Sequence, residues 1–473
     1  MKKIEEIIDS SRDIKDIIND LKKKTIKVPE WDELEKVYEP KLHKIMDPAV
    51  FKDKEVKDDK GNVVRTEPVT RVAIGLQKLS VKRIAEFMFT IPVNTILEDD
   101  ETLQKEQFKS IIKIQKKNRW DVLNKKRCKI TSSECECAVH WYLVENKNKS
   151  YGFQSNYKLK YAIYSPKNGD KLYPLFDETR DMIAFSREIN MNSTNDEGLK
   201  VNVTVFETWT ADRHIRWRKE GANDWELVLN EENKIGKIPI IYTYRPEPIW
   251  DDADNGKVHE IELLLSRNGE IIAYHASPVL IIKGKLKGAP TKGEGNKVFF
   301  TEDGTGGAEY ASWQQSPESV RFQFETLLRL FFTELQLPDL SFENIKGIGA
   351  QSGESRKWML VDAHLKVGDE SEIYLDSLER EYNIIKAFLG LMNPKWKGTV
   401  GDLELTPEIR PFTVEDEKGR VEVLVAANGN KPIISQQQAV KQAGLVDDPD
   451  EDWVQIQAEY TKENTFNVFE PTE

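Results

Sequence analysis

Apolar residues recur at three- and four-residue spacing toward both ends of this chain and at two-residue spacing in its middle. The pattern alone therefore divides it into helical, stranded and again helical regions. Ile4, Ile7, Ile8, Ile14, Ile17, Ile18 and Leu21 fall on one face of a helix. Further helices are expected over residues 31–45, 79–90, 100–116 and 119–130. The charged stretch 51–68, with a turn at Asp58 to Asn62, reads as an exposed loop. From about residue 137 to 244 the alternation is that of strands: Val201, Val203 and Val205 lead into Glu207-Thr208-Trp209-Thr210, and 213–217 with 225–229 reads as a hairpin.

The most informative stretch is 258–392, which reads as a helix, a glycine-rich insertion, a second helix, a loop and a third, long helix. A short buried strand at 236–241 and an acidic turn at 251–256 precede it. The first helix, 258–275, carries Ile261, Leu264, Leu265 and Ile272 on one side and spans roughly 27 Å at the α-helical rise. Strands are expected at 279–282, 297–301 and 309–313, separated by flexible segments at 284–295 and 303–307. Ser316-Pro317-Glu318 supplies an N-cap and a first-position proline for the second helix, which should run to about Leu335, before Pro338. The third should start after Ser352-Gly353 and reach about Leu391, kinked or interrupted at Gly368. Residues 435–442 and a helix opened by Asp448-Pro449-Asp450-Glu451 and reaching Tyr460 close the pattern, with a loose tail after Lys462. No internal repeat is visible.

At 473 residues the chain exceeds what one hydrophobic core serves, so two or more regions are expected. The net charge of −12 argues against a surface built to wrap nucleic acid, and does not exclude a protein that DNA must pass without sticking. No apolar run approaches a membrane span, and acids at Glu5 and Glu6 occupy the place of a signal peptide's apolar segment. A cytoplasmic chain is expected. Three cysteines fit a reducing compartment, which makes the Asn-x-Ser/Thr matches at Asn148, Asn192 and Asn202 chance occurrences.

Catalytic signatures are missing. Residues 288–293 have phosphate-loop glycine spacing, but Glu294 stands where lysine is required; His259-Glu260 begins a zinc-protease motif with no second histidine. Cys128, Cys135, Cys137 and His140 form the one soft-ligand set for zinc, without paired Cys-x-x-Cys knuckles; the plainer reading is small buried residues. Asp251, Asp252, Asp254 and Asn255 could hold Ca²⁺ or Mg²⁺, or form a solvated turn capping the next helix. Lys113 to Lys129 holds eight basic residues, one acid and Trp120, a pattern that binds nucleic acid or simply faces water or a partner. No cofactor is expected.

Several segments, in order, resemble the portal proteins of tailed bacteriophages. Gly236-Lys237-Ile238-Pro239-Ile240-Ile241 is similar to the segment preceding that family's stem, and Leu263-Leu264-Leu265-Ser266-Arg267-Asn268 falls where the first stem helix lies. Pro338-Asp339 with Gly347-Ile348-Gly349-Ala350-Gln351-Ser352-Gly353 resembles the tunnel loop and the start of the long helix. Ile434-Ser435-Gln436-Gln437-Gln438-Ala439-Val440 with Asp447-Asp448-Pro449-Asp450-Glu451 resembles the crown. Val69-Thr70-Arg71-Val72 through Ile91-Pro92-Val93 resembles a wing segment. No single motif is diagnostic; their ordered spacing carries the resemblance.

The resemblance implies an α+β portal fold that forms rings, with a helical stem, a β-containing wing and clip, and a helical crown. It divides the chain into wing (1–136 helical, 137–256 β-rich), first stem helix (257–275), clip (276–315) and second stem helix (316–337). Tunnel loop, long helix and return to the wing follow (338–430), then crown and tail (431–473). It also implies a non-enzymatic conduit at one capsid vertex, commonly dodecameric, for double-stranded DNA packaging and ejection. Partners would be the terminase large subunit, a head-completion or adaptor protein, and capsid and scaffold proteins. The protein would reside in the virion, and in host cytoplasm during assembly. Lys346, Arg356 and Lys357 are then the candidate channel-facing residues, and Lys283, Lys285, Lys287 and Trp313 the candidate clip docking surface. Rival readings are another phage structural protein, such as a capsid or tail-adaptor component, and a metal-dependent nucleic-acid-processing enzyme using Asp251, Asp252 and Asp254.

Overall fold

The computed structural model describes residues 4–98, 101–194, 200–254, 256–275, 279–283, 286–288, 300–301, 307–311, 317–339, 360–413, 435, 437 and 449–465. The chain divides into two compact units. One is Met1–Ile345 with Met359–Phe412; the other is Lys346–Trp358 with Thr413–Glu473. In the second unit the described element is one helix, Pro449–Thr465. It runs past Tyr460 and Lys462, where a loose tail was expected.

The first unit opens on α1 (Ile4–Ile7) and α2 (Ile14–Leu21), not on one continuous helix. Asp9 and Asp13 break it: each turns its carboxylate onto a nearby backbone N–H, that of Ser11 or Lys15. Arg12 then staples the corner by donating to the Ile7 carbonyl and pairing with Asp20. The expected helix at 31–45 also stops early. α3 is Trp31–Tyr38, because Pro40 forces Glu39 into extended backbone (ψ 110°), and two 3₁₀ turns follow. Residues 51–68 are not a loop but an exposed hairpin, β1 (Lys54–Lys57) with β2 (Val63–Glu67), around the turn that was expected.

Next come α4 (Leu76–Phe89), β3 (Asn94–Leu97), α5 (Thr102–Lys117) and α6 (Trp120–Glu134). The stranded region holds β4 (Glu136–Asn148), β5 (Ser155–Tyr164), β6 (Asp170–Phe176), β7 (Met182–Thr194), β8 (Lys200–Thr210), β9 (Arg213–Glu220), β10 (Glu226–Glu232) and β11 (Ile240–Tyr244). It forms two antiparallel sheets, ordered β10-β9-β8-β7-β6 and β11-β4-β5. β11 begins later than expected since Pro239 has no N–H for a ladder; its carbonyl instead accepts from Trp141.

α7 (Asp251–Asp254), α8 (Lys257–His275), β12 (Val279–Lys283), β13 (Leu286–Gly288), β14 (Phe300–Thr301), β15 (Gly307–Ala311) and α9 (Pro317–Glu334) follow. Then comes α10 (Val361–Met392), and β16 (Leu405–Glu408) returns to pair with β3. α10 runs unbroken through Gly368, contrary to the expected interruption. Ala363, Val367, Tyr374, Leu378, Tyr382, Ile385 and Leu389 bury its inner face, and that packing outweighs one exposed glycine. The main core lies where α10, α4 and α6 meet β4 and β5. A second cluster packs Ile17, Ile18 and Leu21 against Phe206, Ile215 and Trp217; a third joins the two sheets through Tyr164, Phe185, Trp209 and Tyr242.

Candidate functional site

α8 and α9 form an antiparallel arm. Lys257, at the start of α8, sits 2.6 Å from Glu334 at the end of α9. At the far end the chain folds back through two antiparallel ladders, β12 with β15 (Val279 opposite Ala311) and β13 with β14 (Leu286 opposite Thr301). Each helix is about 27–28 Å long at the α-helical rise. On α9, Val320, Phe324, Leu327 and Phe331 share the inner side, at the spacing of one helical face. Phe322 lies diametrically opposite and is 70% exposed. Ile271 and Ile272 are also exposed near the far end of α8.

Along much of its length α8 is held by backbone donors that carry no side-chain signature. Residues 69–75 run extended along α8 in the opposite direction. The N–H of Thr70 donates to Glu270, that of Val72 to Ser266 Oγ at 2.9 Å, and that of Ile74 to Glu262 Oε1 at 2.9 Å. Alternate residues of an extended chain advance about 6.6 Å and four helical residues about 6.0 Å, so the two ladders stay in step for three contacts. Buried His43 meets the same Glu262 carboxylate at 2.5 Å. Gly269 makes the approach possible: a Cβ there would lie 2.9 Å from Thr70 Cγ2. Sequence reading missed this clasp. Its one visible trace is the polar stripe Glu262, Ser266, Glu270, spaced by four residues along α8.

Two further acids sit in the core. Glu381 is fully buried and accepts from Arg127 (2.7 Å) and from the indoles of Trp120 (2.8 Å) and Trp141 (2.7 Å). Glu370 pairs with Arg245 and, at 3.4 Å, with Lys366. Part of the basic run 113–129 is therefore neither a solvated face nor a nucleic-acid surface, because Arg127 and Trp120 point into the core.

The zinc set is not brought together. Cys128 on α6 lies against Met88 and Ser132, Cys135 caps α6 in left-handed backbone (φ 63°), and Cys137 is buried in β4. His140 is three residues further along β4, so it faces the other side of the sheet and bonds Tyr164 OH at 2.8 Å. Burial pushes the thiols of Cys128, Cys135 and Cys137 up to about 11, 12 and 12, away from the thiolate a metal needs. Burial, reinforced by His214, holds His140 down at about 3. Asp251 and Asp254 lie in α7, where Asp254 accepts from Gln77 at 3.0 Å; Asn255 lies outside the described residues. Among the described residues no group of three or more His, Cys, Asp or Glu comes together to hold a metal ion. No helix there is long and apolar enough to cross a membrane.

Lys283 ends β12 and Lys287 lies in β13, while Lys285 and Trp313 lie outside the described residues. So do Lys346, Arg356 and Lys357, the glycine-spaced segment 289–293, and residues 435–442 apart from Ser435 and Gln437.

The family model described as "Phage portal protein, SPP1 Gp6-like" matches residues 18–465. No curated protein matches the chain closely enough to count as a relative. Solved structures similar to it include "Neck of empty GTA particle computed with C6 symmetry", at 11% identity and a TM-score of 0.37, covering 78% of this chain and 89% of that one. Another is "Virion of native gene transfer agent (GTA) particle", at 12% identity and a TM-score of 0.33, covering 78% and 88%.

Proposed function

The chain belongs to the SPP1 Gp6-like phage portal protein family, and from that premise we propose that it assembles into a closed ring at one capsid vertex of a virion. The family is structural, so the role is that of a conduit and connector, not a catalyst. One observation carries the ring reading: the α8–α9 arm presents Phe322, Ile272 and Leu330 to solvent along helices whose opposite side is packed. A head-to-tail contact between such arms closes into a ring when its rotation divides the circle. The test is negative-stain imaging and mass photometry of the full chain. Rings with an open centre, at a multiple of 54.6 kDa and commonly twelve subunits in this family, are expected. Monomers at every concentration tested would overturn the reading.

In this reading α8 and α9 are the stem, residues 276–315 the clip between them, and residues 1–136 and 137–256 the wing. Residues 338–430 supply the tunnel loop, long helix and return to the wing, and 431–473 the crown and tail. Lys283, Lys285, Lys287 and Trp313 of the clip would dock the terminase large subunit and later a head-completion or adaptor protein. Capsid and scaffold proteins would hold the ring at its vertex. Lys346, Arg356 and Lys357 would face passing double-stranded DNA. Few basic residues on a net acidic chain give weak, salt-sensitive phosphate contacts that do not stall it. Neutralising all three should alter DNA packaging or retention, and unchanged packaging would remove them from the channel.

A further inference from the structure

A half-open pocket of about 200 Å³ lies between one face of α10, the β10–β11 turn and the loop after α10. Its walls hold Lys234, Lys237, Asn383, Lys386 and Lys397 and no carboxylate, in a chain where acids outnumber bases 81 to 69. Asn383, Lys386 and Gly390 recur at helical spacing and so share a side of α10. Gly390 lets the following loop close in, since a Cβ there would already lie 3.4 Å from the Lys397 Cα and from Val400.

Lys386 is only 9% exposed, and its ammonium donates to the carbonyls of Leu403 (2.8 Å) and Gly401 (3.3 Å). These bonds fix the charge at the cavity wall. Burial first, and then the nearby Lys237, press its pKa below the ordinary lysine value. Asp402 and Glu404 work in the opposite direction, but neither lines the cavity. The exposed Lys234, Lys237 and Lys397 line the same pocket as buried Lys386, with no carboxylate among its walls, so an anion there would meet positive charge from both the helix and the two loops.

We propose that this cavity binds a phosphate-class oxyanion, held by Lys234, Lys237, Lys397 and Asn383 around the fixed charge of Lys386. A space of about 200 Å³ is ample for one tetrahedral oxyanion with part of its hydration. The oxyanion is either free phosphate or a single phosphodiester of a nucleic acid backbone.

The test compares the full chain with a Lys234→Gln/Lys237→Gln/Lys397→Gln variant, leaving the structurally bonded Lys386 intact. Inorganic phosphate should raise the unfolding temperature of the wild-type chain above that in chloride of equal ionic strength. The variant should lose that increment without unfolding earlier in chloride. Calorimetric titration with inorganic phosphate should show binding weakened about tenfold or more in the variant. No increment in the wild type, or an equal one in the variant, overturns the proposal. Fluorescence anisotropy with a short DNA duplex then separates the two sources. Weaker duplex binding in the variant, with phosphate competing in the wild type, assigns the site to a phosphodiester. Unchanged duplex binding beside a lost phosphate increment assigns it to the free ion.

Discussion

Arg127 and Glu381 lie 254 positions apart in sequence and close a 2.7 Å ion pair that solvent scarcely reaches. Trp120 and Trp141 donate to the same carboxylate, so Glu381 ties α6, β4 and α10 at one point. Removing one member leaves an uncompensated charge in the core. Glu381→Leu should cost about 3–5 kcal/mol in urea-induced unfolding, and adding Arg127→Met should recover part of that loss. A cost below 1 kcal/mol for the single change would mean that the carboxylate is not the node of this core.

Glu262 is the equivalent point at the base of the arm. Glu262→Ala strands both His43 and the Ile74 N–H, and should cost about 2–3 kcal/mol; Ser266→Ala, which frees one N–H, should cost about 1 kcal/mol. Hydrogen exchange gives the local readout. The amides of Val72 and Ile74 should exchange faster in the matching variant while those of α10 do not change.

Two glycines in helices should behave in opposite ways. Gly368 sits in open space, so Gly368→Ala should stabilise the chain by about 0.5–1 kcal/mol. Gly269→Ala sets the same propensity gain against the methyl of Thr70 and should destabilise. In a Thr70→Ser background, which removes that methyl, the penalty should shrink. A Gly269→Ala cost that ignores residue 70 would place the close contact elsewhere.

His140 predicts a pH dependence. Its folded pKa, about 3, lies below the ordinary value of 6.5, so between these limits the unfolded chain binds the extra proton. Its contribution is therefore complete above pH 6.5 and lost as pH falls toward 3, with a slope of up to about 1.4 kcal/mol per pH unit. Carboxylates titrate in the same window, so the measurement is a difference. His140→Gln should flatten the stability profile relative to wild type between pH 4 and 6.5, and parallel profiles would exclude the histidine as a source.

Phe322 tests the ring directly. Phe322→Ser should leave the unfolding temperature of the isolated chain nearly unchanged, because its ring contributes little to the monomer's core. Ring yield by mass photometry should fall several-fold. Normal rings from this variant would move the subunit contact off this side of α9.

The sheets and long helices could be read from period alone because burial on one face imposes it. The Val203-Val205 alternation and the Val367-Tyr374-Leu378 spacing are direct records of what those residues pack against. The clasp on α8 could not be read, since its donors are backbone N–H groups at Thr70, Val72 and Ile74, and every residue owns one. Glu381 was equally hidden: in Glu379-Arg380-Glu381 nothing distinguishes a buried acid from its solvated neighbours. The cysteines were legible in their plainer reading, since all three are small buried residues. Cys137 and His140, three residues apart on β4, face opposite sides of the sheet, while Cys128 lies on α6. Pro40 and Asp13, too, were readable signals for the breaks at Tyr38 and before α2.

α10 is one unbroken rod of 32 residues, about 48 Å long, anchored through Glu370 to Arg245 just beyond β11 and through Glu381 to α6 and β4. Its two anchors are eleven residues apart, about 16 Å along the rod, and both lie on its packed side. Sliding α10 along its axis would strand both carboxylates in the core, so the two pairs fix its register against the sheet.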